Sequence, residues 1–218
     1  MKRYSHIFFD LDGTLTQSEF GIIKSAQYAL SKMGIDVGDD DYSELLRFIG
    51  PPLYNSFHDF YGMSDEDAMQ AVKYYREYYE VDGIFDAPLF DGIDDVIERL
   101  YSKGKKLYVV TSKPEVLAER IIKHFGLGDK FTDVIGPDKS EKSPDKKMLI
   151  ERAIAENHIE DREFAIMIGD RFYDVVGANE ATVDSIGVLY GYGSREELEE
   201  AGATYIAETP EDILKFVL

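Results

Sequence analysis

The sequence predicts an α/β protein: a parallel sheet with helices on both faces and a helical segment inserted after the first strand. Three observations carry that expectation. From residue 91 onward, short apolar runs alternate with stretches of helical spacing. Between about residues 19 and 84, helical stretches follow one another with no strand between them. The first apolar run ends abruptly on two acids, in HIFFDLDGTLTQS, His6 to Ser18.

Taken in order, that first run reads as a buried strand that stops at Asp10 and Asp12. EFGIIKSAQYALSKMG, DDYSELLRFIG, PPLYNSFHDFYG and SDEDAMQAVKYYREYYEVDG then carry helical spacing, which predicts four inserted helices. Linkers are expected around 14–20 and in FDAPLFDG, 85–92, where Pro88 and Gly92 punctuate the chain. DGIDDVIERLYSKG is a helix. KKLYVVTS, 105–112, is a buried strand bounded by Gly104 and Pro114. KPEVLAERIIKHFG and SPDKKMLIERAIAEN are helices, the second capped by Ser143 before Pro144. EFAIMIG (163–169) and SIGVLYG (185–191) are strands, and SREELEEAGA is a helix whose cap, Ser194, stands three residues before Glu197. Strands alternating with helices imply right-handed βαβ units and a Rossmann-like parallel sheet. The expected domains are an α/β core, 1–16 with 87–218, and a helical-bundle cap, 17–86.

Composition narrows the chemistry. The chain has 218 residues, is 44% hydrophobic and contains no Cys, which excludes disulfides, thiolate zinc sites and a cysteine nucleophile. No stretch approaches the roughly 18 apolar residues of a membrane span, and the N-terminal apolar run is too short for a signal peptide. A cytoplasmic protein with no membrane partner is expected. The net charge of −19 disfavours a polyanion, so no nucleic acid partner is expected. A pocket for a phosphorylated metabolite would need positive charge from lysine, arginine or a cation, and one made largely of carboxylates would need a divalent metal.

In an open parallel sheet, ligands bind beyond the carboxyl ends of the strands. Asp10 and Asp12, Thr111 and Ser112, and Asp170 all fall at such ends, with Asp174 one turn after Asp170. Residues i and i+2 of a strand share a face, which would aim Asp10 and Asp12 alike, and a helix starting at Asp170 would align it with Asp174. Singly, Asp12–Gly13 is an ordinary turn and Asp170 an ordinary helix cap. Together with Thr111 at matching strand ends, they converge. The four His residues have no metal-ligand spacing, the Tyr pairs 74–75 and 78–79 read as cap packing, and GYGS, 191–194, reads as a connecting loop.

DLDGTL at 10–15, VVTSKP at 109–114, a lysine near the start of the 144–157 helix and IGDRFYDVVGA at 168–178 resemble, in order, the four motifs of the haloacid dehalogenase superfamily. RFIGPPL (47–53) and SIGVLYGYGSREELEEAGA (185–203) are similar to its phosphoglycolate phosphatase-like branch, which includes 5′-nucleotidases. The resemblance implies a Mg²⁺-dependent phosphatase acting on a small-molecule phosphomonoester, with Asp10 as nucleophile and Asp12 as general acid and base. It implies a metal site of Asp10, the Asp12 carbonyl and Asp170, with Asp174 supporting that shell. Gly13, Thr111, Ser112 and a lysine would bind the phosphate. Lys146 is preferred for that lysine, with Lys142 as second choice. Arg47 in the cap would contact the substrate's far end. A phosphomutase on the same scaffold and a non-enzymatic phospho-ligand module remain alternatives, though the second would be expected to have lost a catalytic acid. A monomer and a homodimer are both open.

Overall fold

The computed structural model describes residues 4–38, 42, 44–49, 53–138 and 145–218. The chain divides into two compact units, one of residues 1–17 and 89–218, the other of residues 18–88.

The first unit is the α/β fold. Among the described residues, its strands are β1 (His6–Phe9), β2 (Lys106–Val110), β3 (Phe131–Ile135), β4 (Ala165–Gly169), β5 (Asp184–Val188) and β6 (Tyr205–Ala207). They form one sheet in the order β3-β2-β1-β4-β5-β6, every pairing parallel. Its helices are α4 (Ile93–Ser102), α5 (Glu115–His124), α6 (Lys146–Glu156), α7 (Phe172–Glu180), α8 (Arg195–Glu200) and α9 (Asp212–Val217), numbered after those described in the other unit.

The register explains the core. Phe8 pairs with Tyr108 on one side and Met167 on the other, so these side chains share one face of the sheet. They form a buried cluster there with Leu149, Ile150, Ala153 and Ile154 of α6 and Ala178 of α7. The alternate residues Ile7, Phe9, Leu107, Val109, Ile166 and Ile168 are fully buried as well. A sheet covered on both faces reads as unbroken apolar runs, and each such side chain contributes roughly 1.5–3 kcal/mol by leaving water.

The strands β3 and β6 were not expected from the sequence. β3 is an edge strand, and its sequence, FTDVI, carries Thr132 and Asp133 where a central strand would be apolar. β6 has only three residues. The expected cap at Ser194 is present, its side chain accepting from the Glu197 N–H, whereas Ser143 and Pro144 lie outside the described residues.

The second unit is helical: α1 (Glu19–Lys32), α2 (Leu53–Tyr61) and α3 (Asp65–Tyr78), with a π turn at Tyr79–Gly83. α1 presents Ile23, Ala26, Ala29 and Leu30, and α3 presents Ala68, Ala71 and Tyr75, as its buried stripe. Ser64 caps α3 by accepting from the Asp67 N–H at 3.2 Å. One of the four expected helices is corrected. Among its described residues, DDYSELLRFIG forms a 3-10 turn, Leu45–Phe48, and Ile49 leaves it in an extended conformation. No helix among the described residues is long and apolar enough to cross a membrane.

Candidate active site

The strand order reverses between β1 and β4, so the loops after these two strands open a crevice at the sheet's carboxyl edge. β1 stops at Phe9, so Asp10 is the first residue beyond it; its N–H donates to the Ile168 carbonyl at 2.8 Å. The chain then turns at once, with the Gly13 N–H donating to the Thr16 carbonyl at 2.9 Å. Gly13 has φ of 83°, and a Cβ there would come within 2.3 Å of Asp170 Oδ2. No other residue could hold that turn so near the acid. Asp12 therefore lies in a loop. The strand alternation expected to aim Asp10 and Asp12 alike does not apply, and the two take different partners.

Asp170 follows β4 and is fully buried. It accepts from the Thr14 hydroxyl at 3.3 Å and from the Tyr192 N–H at 2.9 Å. Helix α7 starts only at Phe172, so Asp170 and Asp174 do not share a helical face as expected. The intervening turn joins them, with Asp174 Oδ2 accepting from the Arg171 N–H at 3.2 Å. Asp10, Asp170 and Asp174 each offer a carboxylate oxygen, all within 4.8 Å of one another.

A single lysine serves two of these acids. Lys146, the first residue of α6, places Nζ 2.8 Å from Asp10 Oδ1 and 2.7 Å from Asp174 Oδ1, and donates to the Val110 carbonyl at 3.1 Å. The side chain of Asp145 caps that helix by accepting from the Lys147 N–H, which fixes where Lys146 begins. The second choice, Lys142, lies outside the described residues.

Burial and like charge dominate the electrostatics. Burial, then the charges of Asp174 and Asp10, push the Asp170 carboxyl up to about 8. Burial raises Asp174 to about 6, with Lys146 opposing the rise. Burial works against the Lys146 ammonium, but Asp10 and Asp174 outweigh it and hold its pKa above the ordinary lysine value.

Thr111 at the end of β2 is buried, and its hydroxyl accepts from the Lys113 N–H at 3.2 Å; Ser112 beside it is exposed. Lys113 lies within the TSKP motif but was not singled out from the sequence. Its buried ammonium sits 2.6 Å from Asp12 Oδ2. The GYGS loop is more than a connection. Tyr192 binds Asp170 through its N–H, and a Cβ on Gly191 would lie 2.3 Å from both Asp170 Cβ and the Gly13 carbonyl oxygen. The adjacent Tyr190 hydroxyl donates to the Thr14 carbonyl at 3.1 Å. In the sequence this loop is marked by its glycines and by the family resemblance of residues 185–203.

In the helical unit, Arg47 lies over the rings of Phe60 and Tyr61, 4.7 and 5.2 Å from their centroids. Tyr75 and Tyr79 are buried and stacked, and Tyr78 packs on Tyr28.

Among the described residues, four carboxylates (Asp10, Asp12, Asp170, Asp174) face two ammonium groups (Lys113, Lys146), a deficit of two positive charges once all four acids are ionised. Oxygen donors and that deficit fit a hard divalent cation such as Mg²⁺.

Comparison with known proteins gives the family. The chain is 41% identical to a 5′-nucleotidase of Pseudomonas aeruginosa, over 93% of this chain and 90% of that protein. It is 33% identical to the tyrosine-protein kinase PtkA of Mycobacterium tuberculosis, over 92% of this chain and 67% of that one. A solved haloacid dehalogenase-like family hydrolase from Streptococcus pneumoniae superposes with a TM-score of 0.87 at 32% identity, covering all of both chains. The profile of haloacid dehalogenase-like hydrolases matches residues 7–188, from the first strand to the last residue of β5, and the chain is a member of that hydrolase family.

Proposed function

We propose that this hydrolase is a Mg²⁺-dependent phosphatase that cleaves a small phosphomonoester, a nucleoside 5′-monophosphate or a phosphoglycolate-like acid, through a phosphoaspartate on Asp10. The observation that carries the reading is the juxtaposition of Asp10, Asp170 and Asp174 around Lys146 at the ends of adjacent strands. A cluster this acidic would repel a phosphate unless it held a cation. Asp10, Asp170 and the Asp12 carbonyl would hold Mg²⁺, with Asp174 beside them, and the ion would supply the positive charge that lets a carboxylate approach a phosphate dianion.

An Asp10 oxygen attacks phosphorus while the ester P–O bond breaks, and Asp12 gives its proton to the departing oxygen. Asp12 then takes a proton from water, whose oxygen attacks the phosphorus of the phosphoaspartate. Phosphate leaves and Asp10 is regenerated. Lys146 orients Asp10 and offsets charge, while Thr111, Ser112 and the backbone at Gly13 bind the phosphate oxygens. Arg47 is the proposed contact for an anionic far end of the substrate.

The test is phosphate release from a panel of nucleoside 5′-monophosphates, sugar phosphates, phosphotyrosine, phosphoglycolate and p-nitrophenyl phosphate with Mg²⁺. Release from at least one small metabolite is expected. Isomerisation of a sugar phosphate without phosphate release would favour the phosphomutase, and no turnover of any phosphomonoester would sink the reading. On the same panel, Arg47→Ala is expected to lower kcat/KM for phosphoglycolate more than for p-nitrophenyl phosphate. An equal effect would make Arg47 structural.

A further inference from the structure

The two carboxylates of DLDG are held by different lysines. Lys146 reaches Asp10 and Asp174, whereas Lys113 reaches Asp12, which stands outside the three-acid cluster. The Lys113 side chain is 6% exposed, with Nζ 2.6 Å from Asp12 Oδ2. Burying an ammonium is costly unless its partner is well placed, so such a lysine constrains the acid it pairs with. The other oxygen, Asp12 Oδ1, is buried and has no hydrogen-bond partner. A buried acceptor left alone is rare and costly, and its presence here calls for an explanation.

We infer that Lys113 is a positioning residue for Asp12: it ties Oδ2 in a fixed ion pair and so leaves Oδ1 as the oxygen that carries the transferred proton. The inference rests on the proposed phosphatase reading and assigns a division of labour within one carboxylate. A general acid must present its proton along one direction to the leaving oxygen. A carboxylate free to rotate would exchange its two oxygens and spread that direction. The ion pair removes the freedom, and the unpartnered Oδ1 acquires its hydrogen bond only when a leaving-group oxygen or the attacking water arrives. The loop is itself anchored for this task. The Lys113 N–H donates to the Thr111 hydroxyl, and the Glu115 N–H donates to the Pro137 carbonyl at 3.1 Å. The segment between β2 and α5 is thereby tied at both ends.

The alternative is that Lys113 serves only as positive charge for the incoming phosphate. The two roles predict different kinetics. A positioning role matters in proportion to the need for protonation, so Lys113→Met is expected to lower kcat/KM for an alkyl phosphate by about tenfold to a hundredfold. The loss for p-nitrophenyl phosphate, whose leaving group needs little protonation, is expected to be about threefold or less. In an Asp12→Asn background, measured with phenyl phosphate, the same substitution is expected to add almost nothing. A charge-only role would instead give equal losses on both leaving groups and additive losses in the double variant. Either result overturns the inference. Should Lys113→Met fail to fold, Lys113→Arg keeps the charge and changes the geometry: a loss confined to poor leaving groups supports positioning, and unchanged kinetics on both overturn it. A wild-type protein with no phosphatase activity would count against the proposed function itself. Leaving-group-independent losses in an active enzyme count against Lys113 alone.

Discussion

The two ends of the sheet bury polar groups in opposite ways. At the amino ends, the Tyr4 hydroxyl donates to Asp184 Oδ2 at 2.6 Å, and His6 Nδ1 lies 3.0 Å from the Tyr108 hydroxyl. Each group there has a partner of its own. Burial, then the bond to Asp184, hold the Tyr4 phenol above its ordinary pKa, so it stays a neutral donor. Burial lowers the His6 pKa, with Lys106 adding to it, which favours the neutral ring. At the carboxyl ends, Asp10, Asp170 and Asp174 crowd within 4.8 Å, and one lysine pairs with two of them. Polar groups at the first end are satisfied on folding alone. The second end keeps a charge excess that folding leaves unresolved, the arrangement expected where stability is given up for chemistry.

Substitutions at the two ends should therefore move different observables. The largest effect is expected from Asp10→Asn, which keeps the side chain's shape but removes the attacking charge. Phosphatase activity should fall by about a thousandfold or more, with an unchanged circular dichroism spectrum. Substantial turnover would exclude the covalent route through Asp10.

A smaller effect, and the sharper test of the contrast, concerns Asp170. Chelation should abolish activity and Mg²⁺ restore it. The Asp170 carboxyl lies near 8 in the folded state, against an ordinary value of 3.8, so the metal-free fold binds a proton that the unfolded chain has released. The contribution of Asp170 to stability in chelator should thus be full below about pH 4 and lost as pH rises through 8, with that of Asp174 lost around pH 6. Melting temperatures at pH 5, 6.5 and 8 in EDTA check this. Asp170→Asn should flatten the decline and melt several degrees higher than wild type at pH 8, while losing the stabilisation by Mg²⁺. Parallel slopes for both proteins would mean that the acid cluster is not the source.

The smallest effect belongs to the amino end. Tyr4→Phe should cost about 1 kcal/mol in urea unfolding, the value of one hydrogen bond, and leave kcat/KM unchanged. A change in turnover would show that the two ends are coupled and break the comparison.

How far the sequence could be read follows from how each feature is encoded. Apolar runs at 106–110 and 165–169 announced the central strands because a sheet covered on both faces selects against polar residues there. The meeting of Asp10 and Asp170 was legible because strand ends are where an open parallel sheet gathers its polar residues. Among the described residues, the helix expected around residue 45 is a 3-10 turn of four residues, because spacing alone cannot offset the cost of starting a helix. The role of the GYG loop was invisible: its tie to Asp170 runs through a backbone N–H, which any residue but proline could supply.

The sequence by itself determined the fold class, the central strands and which acids fall at their ends, because each depends on local periodicity or on residues a few positions apart. Only the tertiary structure decided which lysine serves which acid. Asp10 is 136 residues from Lys146, and Asp12 is bound by Lys113 from a neighbouring loop. Such pairings depend on parallel strands returning to the same edge after long crossovers. No local pattern records that distance, and electrostatics settles it only once burial has brought the charges together.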